Sequence, residues 1–381
     1  MKKIVSILTS LILATSVFAF EWGGIIGETS YVDNTISTLS FNEYADIDLW
    51  MRAQFNKNLS LSGDAFYSLD YDFSQDSFAS AAIQKADLNS FFLRGTYALG
   101  DSNWSTAFSV GRFIVADTTS YILSQKLDGA GVSFTSPKSY VLKFYAGYTG
   151  LLNSLTNSVY SPYYSQSDSI IYTFAVPYIL ADFTASFQSL FAGQNLTIEA
   201  LGAIDANFGK TAYNRAYISL ALDGPIYKSL YYALASSFEG ILDNTEGSTS
   251  PFEFANLSKA EIMYFFDWNS LVLSANAIYV TDKFTTITET DATIDSMAYN
   301  AMFKTGVSTA AKFIDVIKLS LGLDAIFDSD FAYTGLQYNI SFIYQILDDL
   351  QLNIYAAQFF YNNTPISDSY LTAKGSIRIA F

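Results

Sequence analysis

Hydrophobic and polar residues alternate along most of the chain with a period of two. Over residues 44–55 one parity reads Ala45, Ile47, Leu49, Met51, Ala53, Phe55, and the other reads Tyr44, Asp46, Asp48, Trp50, Arg52, Gln54. Asn56-Lys57-Asn58 turns the chain. Leu59, Leu61, Gly63, Ala65, Tyr67 and Leu69 then oppose Ser60, Ser62, Asp64, Phe66, Ser68 and Asp70. Phe91, Leu93, Tyr97 and Leu99 alternate with Phe92, Arg94, Thr96 and Ala98, and Leu336 to Ile346 repeat the pattern near the end. Successive side chains on a strand point to opposite faces. Each segment therefore predicts a strand with one apolar face and one face of charges, hydroxyls and small residues.

The same reading places strands near 128–136, 139–149, 168–180, 213–222, 229–239, 255–267, 270–281, 297–310, 317–327, 332–346, 350–361 and 369–381. Many exceed the roughly 5–6 residues of an average soluble strand, and a tilted membrane strand needs about 9–11. Short connections (56–58, 100–103, 136–138, 223–228, 268–269, 347–349) alternate with long polar ones (73–85, 117–127, 150–167, 240–254, 282–296, 362–368). Short turns on one side of a membrane and long loops on the other are the habit of outer-membrane barrels. Making the two ends agree requires residues 22–31 as the first strand and three strands between 168 and 222, with 183–192 and 195–207 joined as one. The count is then 18 strands, with 16 as the alternative.

Composition separates a membrane barrel from a soluble sandwich. Half of the 381 residues are hydrophobic and 15% are charged, below the roughly 25% of soluble chains. After residue 20 no apolar run approaches the roughly 18–20 residues of a membrane-spanning helix, and Pro177 interrupts the best one, residues 170–181. The expectation is an all-β, transmembrane, antiparallel up-and-down β-barrel whose backbone groups all pair within the wall. Residues 1–19 (MKKIVSILTSLILATSVFA) carry Lys2 and Lys3, an apolar stretch and a Val17-Phe18-Ala19 cleavage site, as a secretory signal peptide does. Residues 20–381 then form a single barrel domain. So few residues would separate the mature start from the first strand that no N-terminal plug is expected.

There is no His and no Cys, so His- or Cys-based zinc and haem sites, catalytic triads and disulfides lack their residues. No enzyme and no cofactor is expected, and Asp348-Asp349 reads as turn chemistry. The net charge of −16 argues against nucleic acid.

The C-terminal LTAKGSIRIAF places Leu371, Ala373, Gly375, Ile377, Ile379 and Phe381 on one parity. A terminal Phe after alternating apolar residues resembles the assembly signal of bacterial outer-membrane β-barrel proteins. That likeness implies an outer-membrane location and recognition of Phe381, Ile379 and Ile377 by the barrel-assembly machinery. Ala373 departs from the larger residue often found there. Ser109 to Arg112 and Asp128 to Ala130 are similar to a hairpin of substrate-preferring porins, and the size and organisation of the chain resemble a porin. The resemblance implies passive diffusion of small solutes, often through a homotrimer.

A barrel of 16–18 strands leaves a water-filled interior. Its lining on this register includes Asp46, Asp48, Arg52, Asp64, Asp70, Arg94, Lys143, Lys374 and Arg378. The acidic excess predicts a preference for cations. Two alternatives compete. Inward Trp50, Phe66 and Phe92 suit a channel for hydrophobic substrates, and the Tyr-rich 150–167 suits a surface adhesin or structural barrel without a conducting pore, although an interfacial aromatic belt or a constriction loop folded into the lumen is the favoured reading of 150–167.

Overall fold

In the computed structural model the described residues are 19–34, 39–72, 82–100, 103–149, 151, 178–206, 213–243, 252–281, 284–285, 287, 302–313, 316–361 and 370–381. Among them are eighteen strands. These are β1 (Ala19–Asn34), β2 (Leu39–Asn56), β3 (Leu59–Asp72), β4 (Ala82–Leu99), β5 (Trp104–Ala116), β6 (Ser124–Thr135), β7 (Tyr140–Tyr148), β8 (Tyr178–Phe187) and β9 (Asn195–Asp205). The second half adds β10 (Tyr213–Tyr227), β11 (Leu230–Asp243), β12 (Phe252–Phe265), β13 (Val272–Val280), β14 (Met302–Phe313), β15 (Ile317–Asp328), β16 (Tyr333–Leu347), β17 (Leu350–Tyr361) and β18 (Tyr370–Ala380). Each strand pairs antiparallel with its sequence neighbours, and β1 pairs with β18, so one sheet closes on itself. Closure removes the free edges that a membrane interior cannot satisfy.

The alternating residues fall on two sides of this wall. Ile26, Leu49, Phe144, Ile218, Leu220, Phe238, Val307 and Ile340 are exposed on the outer face, as a lipid-facing surface requires. Aromatic side chains edge it at both ends: Phe20, Trp22, Phe134, Tyr140, Tyr264 and Trp268 by the short turns, and Phe41, Tyr67, Phe254 and Phe331 by the long connections. At the latter rim the Phe331 ring lies 5.6 Å from Phe303 and 6.3 Å from Tyr279. Such belts sit where hydrocarbon meets headgroup.

Closure also explains a Gly pair. The Gly24 and Phe381 backbones exchange hydrogen bonds of 3.0 and 2.9 Å, which carries the β18–β1 ladder to the last residue. A Cβ on Gly24 would stand 2.6 Å from the Phe381 ring, and one on Gly23 would stand 2.6 Å from the Trp50 ring. Two bulky side chains, one on each face of the wall, thus cross β1 where it has none.

Several boundaries differ from the sequence reading. The count is 18, with three strands between 168 and 222, but residues 183–207 are not one strand. β8 ends at Phe187, residues 188–194 turn, and β9 begins at Asn195, because Ser189, Ala192 and Gly193 adopt positive φ there. β4 begins at Ala82 and β6 at Ser124, inside segments expected to be loops. The expected leader, residues 1–19 (apart from Ala19, which opens β1), and the Tyr-rich 150–167 (apart from Leu151) lie outside the described residues.

Candidate functional site: the barrel interior and its constriction

The strand register places Asp46, Asp48 and Arg52 of β2, Asp64 of β3, Arg94 of β4, Lys143 of β7, and Lys374 and Arg378 of β18 on the inner face. Their cross-strand partners share the inward parity and never belong to the outward apolar row: Arg52 pairs with Ser62, Arg94 with Ser60 and Ser109, Lys143 with Ser133 and Thr184, Arg378 with Gly27, and Asp48 with Ile25 and Phe66. Trp50, Phe66 and Phe92 share that face. Asp70 has the inward register, while its side chain lies outside the described residues. Arg52, Arg94, Lys143, Lys374 and Arg378 are all solvent-exposed although they point into the barrel. The interior beside them is open to water.

The opposite side of the interior is filled. Pairing between β4 and β5 stops at Phe91–Arg112, and pairing between β6 and β7 stops at Asp128–Tyr148. The β5–β6 hairpin continues to Ala116–Ser124 without either neighbour. Gly111 makes this departure feasible. Its φ of +128° suits glycine, and a Cβ there would strike the Phe91 backbone. Beyond the bend the hairpin tip lies inside the barrel, so its outward parity meets the inner face of β3 and β4. Arg112 donates from Nε and Nη2 to the two Asp128 oxygens at 2.8 Å each. Lys126 donates to Asp87, Arg112 Nη1 stands 3.6 Å from Asp87, and the Lys126 ammonium lies 5.7 Å from the Phe66 ring centroid. Two cations and two carboxylates thus balance one another where water is scarce, which a buried charge needs.

The tip itself is ordered by Asp117. Its carboxylate accepts the N–H groups of Thr119 (2.7 Å), Ile122 (3.0 Å) and Leu123 (2.8 Å), satisfying a turn that no strand pairs. The far side of the tip reaches β9, where both Glu199 oxygens accept the Thr118 N–H at 3.1 and 2.9 Å. Hollows of about 610 and 440 Å³ lie on either side of Thr118, beneath the tip.

A second inward segment follows β13. Phe284 is 1% exposed, and Ile287 N–H donates to the Ile122 carbonyl at 2.8 Å, which joins the two segments. Glu239 on the β11 inner face accepts from the Thr285 N–H (2.8 Å), from the Thr285 hydroxyl and from Tyr217 Oη (3.0 Å). Arg215 donates to Tyr178 Oη at 2.7 Å and to Thr285 Oγ1 at 3.2 Å. Around these bonds Ile122, Leu123, Leu127, Leu180, Leu201, Leu257 and Phe284 form a buried apolar cluster inside the barrel. The passage is therefore off-centre: the upper inner face of β8–β13 is covered, the tip also rests on β3 and β4 at Phe66 and Asp87, and exposed charges line β2, β18 and the short-turn end of β4.

Sequence reasoning treated 117–127 and 282–296 as outer loops and missed this constriction. A signal was present. Leu180, Leu201, Tyr217, Leu257 and Val280 are apolar residues on the inward parity, and they need something to cover them.

Solved structures share the fold of this barrel. Over 95% of this chain and 99% of the other, it superposes on Pseudomonas aeruginosa OpdQ with a TM-score of 0.62 at 10% identity. The chain has the fold of a bacterial outer-membrane porin. The outer membrane protein opdK of Pseudomonas aeruginosa gives 0.62 at 9% identity, and Acinetobacter baumannii OccAB4 gives 0.59 at 11%, each over 95% of this chain and 98% of the other. No protein-family model and no curated protein sequence matches the chain. The porin fold thus rests on shape. Strand count, closure and length are shared, and nine-tenths of the residues differ.

Proposed function

We propose that the protein is a water-filled channel for passive diffusion of small solutes across the outer membrane, narrowed by the β5–β6 tip and the segment after β13. One observation carries this reading: charged side chains on the inner wall of β2, β4, β7 and β18 remain exposed to solvent inside a closed barrel. A lumen filled for structural purposes would bury or pair them. The inward apolar residues of β8–β13 pack against one another beneath the two segments, and Trp50 stands between Asp48 and Arg52 on the open wall, which disfavours a continuous greasy conduit for hydrophobic substrates. The nine charged residues from Asp46 to Arg378 are the proposed pore lining, and the acidic excess supports a preference for cations. Export by the leader, recognition of Phe381, Ile379 and Ile377 by the assembly machinery, and a homotrimer complete the proposal.

Purified protein in a planar bilayer is expected to give discrete conductance steps, and a salt gradient to give a reversal potential of cationic sign. Folded protein without steps would favour the structural-barrel reading. An anionic reversal potential would remove the cation preference while leaving the channel intact.

A further inference from the structure

Among the described residues the outward parity of the wall is almost free of charge. Apart from the hairpin tip, which has left the wall, Glu28 of β1 and Glu43 of β2 are its only charged side chains. Glu28 pairs with the outward Ile377 and Ala45, and both Glu43 oxygens accept from the outward Ser30 Oγ at 2.9 Å. They stand above Trp22 on β1 and below Phe41 on β2, between the two aromatic edges. Hydrocarbon is a poor cover for carboxylates, and the outward parity holds no described Lys or Arg to offset them. Three strands away the same face offers donors. Tyr338 of β16 and Gln358 of β17 point outward, and Tyr338 Oη donates to Gln358 Oε1, which leaves the Gln358 amide nitrogen to donate elsewhere. Between donors and carboxylates the wall is low, with Ala356, Ala373 and Gly375, and a Cβ on Gly375 would meet nothing within 4 Å. The two groups also share a level. Pairing rows climb toward the long connections in chain order: one runs from Gln54 beside the β2–β3 turn to Glu239, far above the β10–β11 turn. The climb is about one residue per strand at the usual tilt. Gln358 shares a row with Asn34 but lies two strands back along it, so its level on β1 is about that of Val32. Glu43 shares a row with Ser30 one strand on, so its level is about that of Tyr31.

We propose that the outer face of β16–β18, β1 and β2 is where copies of the chain meet, with Glu28 and Glu43 of one barrel accepting hydrogen bonds from Tyr338 and Gln358 of the next. The inference rests on the homotrimer proposed above and not on conduction. The angle between the two groups fits a three-fold ring. Where three equal cylinders touch, the two neighbours of each lie about 60° apart. Glu43 and Gln358 are three strands apart on an eighteen-stranded wall, and so are Glu28 and Tyr338. Three strands of eighteen are one sixth of the circumference, again about 60°. Each barrel then presents carboxylates to one neighbour and amide and hydroxyl donors to the other. Such a contact is heterologous, and it closes after three copies. The small side chains of β18 face the axis, where three walls converge and bulk would hold them apart. A charge-assisted hydrogen bond replaces what water would otherwise give each carboxylate, so the second copy is a better cover than lipid.

The test combines the mass of the full-length barrel in mild detergent, read by light scattering, with disulfide trapping in a chain that has no native cysteine. Glu43→Cys and Gln358→Cys in one chain are expected to give covalent trimers on oxidation. Within one barrel the two positions are about 14 Å apart across three strands, beyond the about 7 Å that a disulfide spans, so every bond joins two copies. Gln358→Glu sets carboxylate against carboxylate and should turn most of the trimer into folded monomer. Glu43→Gln added to that chain exchanges the two groups and should restore the trimer. Heat-sensitive gel mobility separates loss of folding from loss of assembly. A wild-type barrel that is folded and monomeric would overturn the homotrimer together with this face. A trimer whose cysteines stay apart or join only as covalent dimers, or whose assembly Gln358→Glu leaves unmoved, would overturn this face alone. Conductance of the same trimer reads the channel separately: a trimer that conducts nothing would overturn the channel reading and leave the contact standing.

Discussion

Replacing Glu239 with Ala removes the acceptor for three donors of the constriction: the Thr285 N–H at 2.8 Å, the Thr285 hydroxyl, and Tyr217 Oη at 3.0 Å. Hydrogen bonds to a charged group each contribute about 1.5–3 kcal/mol, and their sum is less than additive. Glu239 and Tyr217 are 0% and 1% exposed, so water does not readily replace the lost acceptor. A loss of about 3–5 kcal/mol from docking of Phe284, Thr285 and Ile287 is the expected size. What remains is burial of Phe284 and Ile287, about 1.5–3 kcal/mol each, together with the Ile287–Ile122 hydrogen bond. Ordering these three residues costs about 1–2 kcal/mol each. These contributions nearly cancel, so the docked segment should open in the variant. At about 1.4 kcal/mol per decade, the loss shifts the docking equilibrium by about 10²–10³. The absence of native cysteine gives a clean assay. An Ile287→Cys reporter, at a position 8% exposed, should react with an impermeant thiol reagent faster in the Glu239→Ala background by about that factor, and mean conductance should rise with it. Glu239→Gln retains an acceptor for the Thr285 N–H and should fall between. Equal reaction rates in all three backgrounds, in barrels that remain folded, would refute this account of the tether.

Three further outcomes follow from the wall. Leu220→Arg, on the outward parity near the middle of β10, should destabilise the barrel by about 2–4 kcal/mol in a denaturant titration, while Ala221→Arg one residue on should not; similar losses would contradict the register. Gly24→Leu should lower the yield of heat-modifiable folded barrel, because a Cβ already meets the Phe381 ring at 2.6 Å, and Phe381→Ala in the same chain should restore part of it. Asp87→Asn leaves Lys126 without its carboxylate and weakens Arg112, so the hairpin tip should become more mobile and raise open-channel noise. An unchanged noise spectrum would count against docking through this network.

The wall was legible because one rule, inward or outward by parity, operates on every residue of a strand. A slip of one position would have turned Asp46, Asp48 and Arg52 into lipid together, so the charges themselves fixed the register. Strand ends were less legible. Ser124 to Leu127 (SQKL) offers no clear alternation, and their pairing depends on a hairpin that has left the wall. The constriction was not legible from local pattern because its stabilising contacts cross the lumen. Thr118 meets Glu199 and Thr285 meets Glu239, at separations of 81 and 46 residues. Only the apolar residues on the inward parity of β8–β13 hinted at it.

Those inward apolar residues and the inward charges divide the same face between them, and that division explains the shape of the passage. An inward apolar position is stable only if a segment folds in to cover it, whereas an inward charge is stable only if water or a counter-charge reaches it. Leu180, Leu201 and Leu257 draw the two segments to one side, and Arg52, Arg94, Lys374 and Arg378 keep water on the other. Lys143, exposed beside the hollow under Thr118, stands at the border between them. Moving that border should move the pore. An apolar side chain at Lys143 would extend the covered region, and an acidic one at Leu257 would undo it. The off-centre opening is therefore a consequence of which residues occupy one parity of the wall, with the two inward segments following from it.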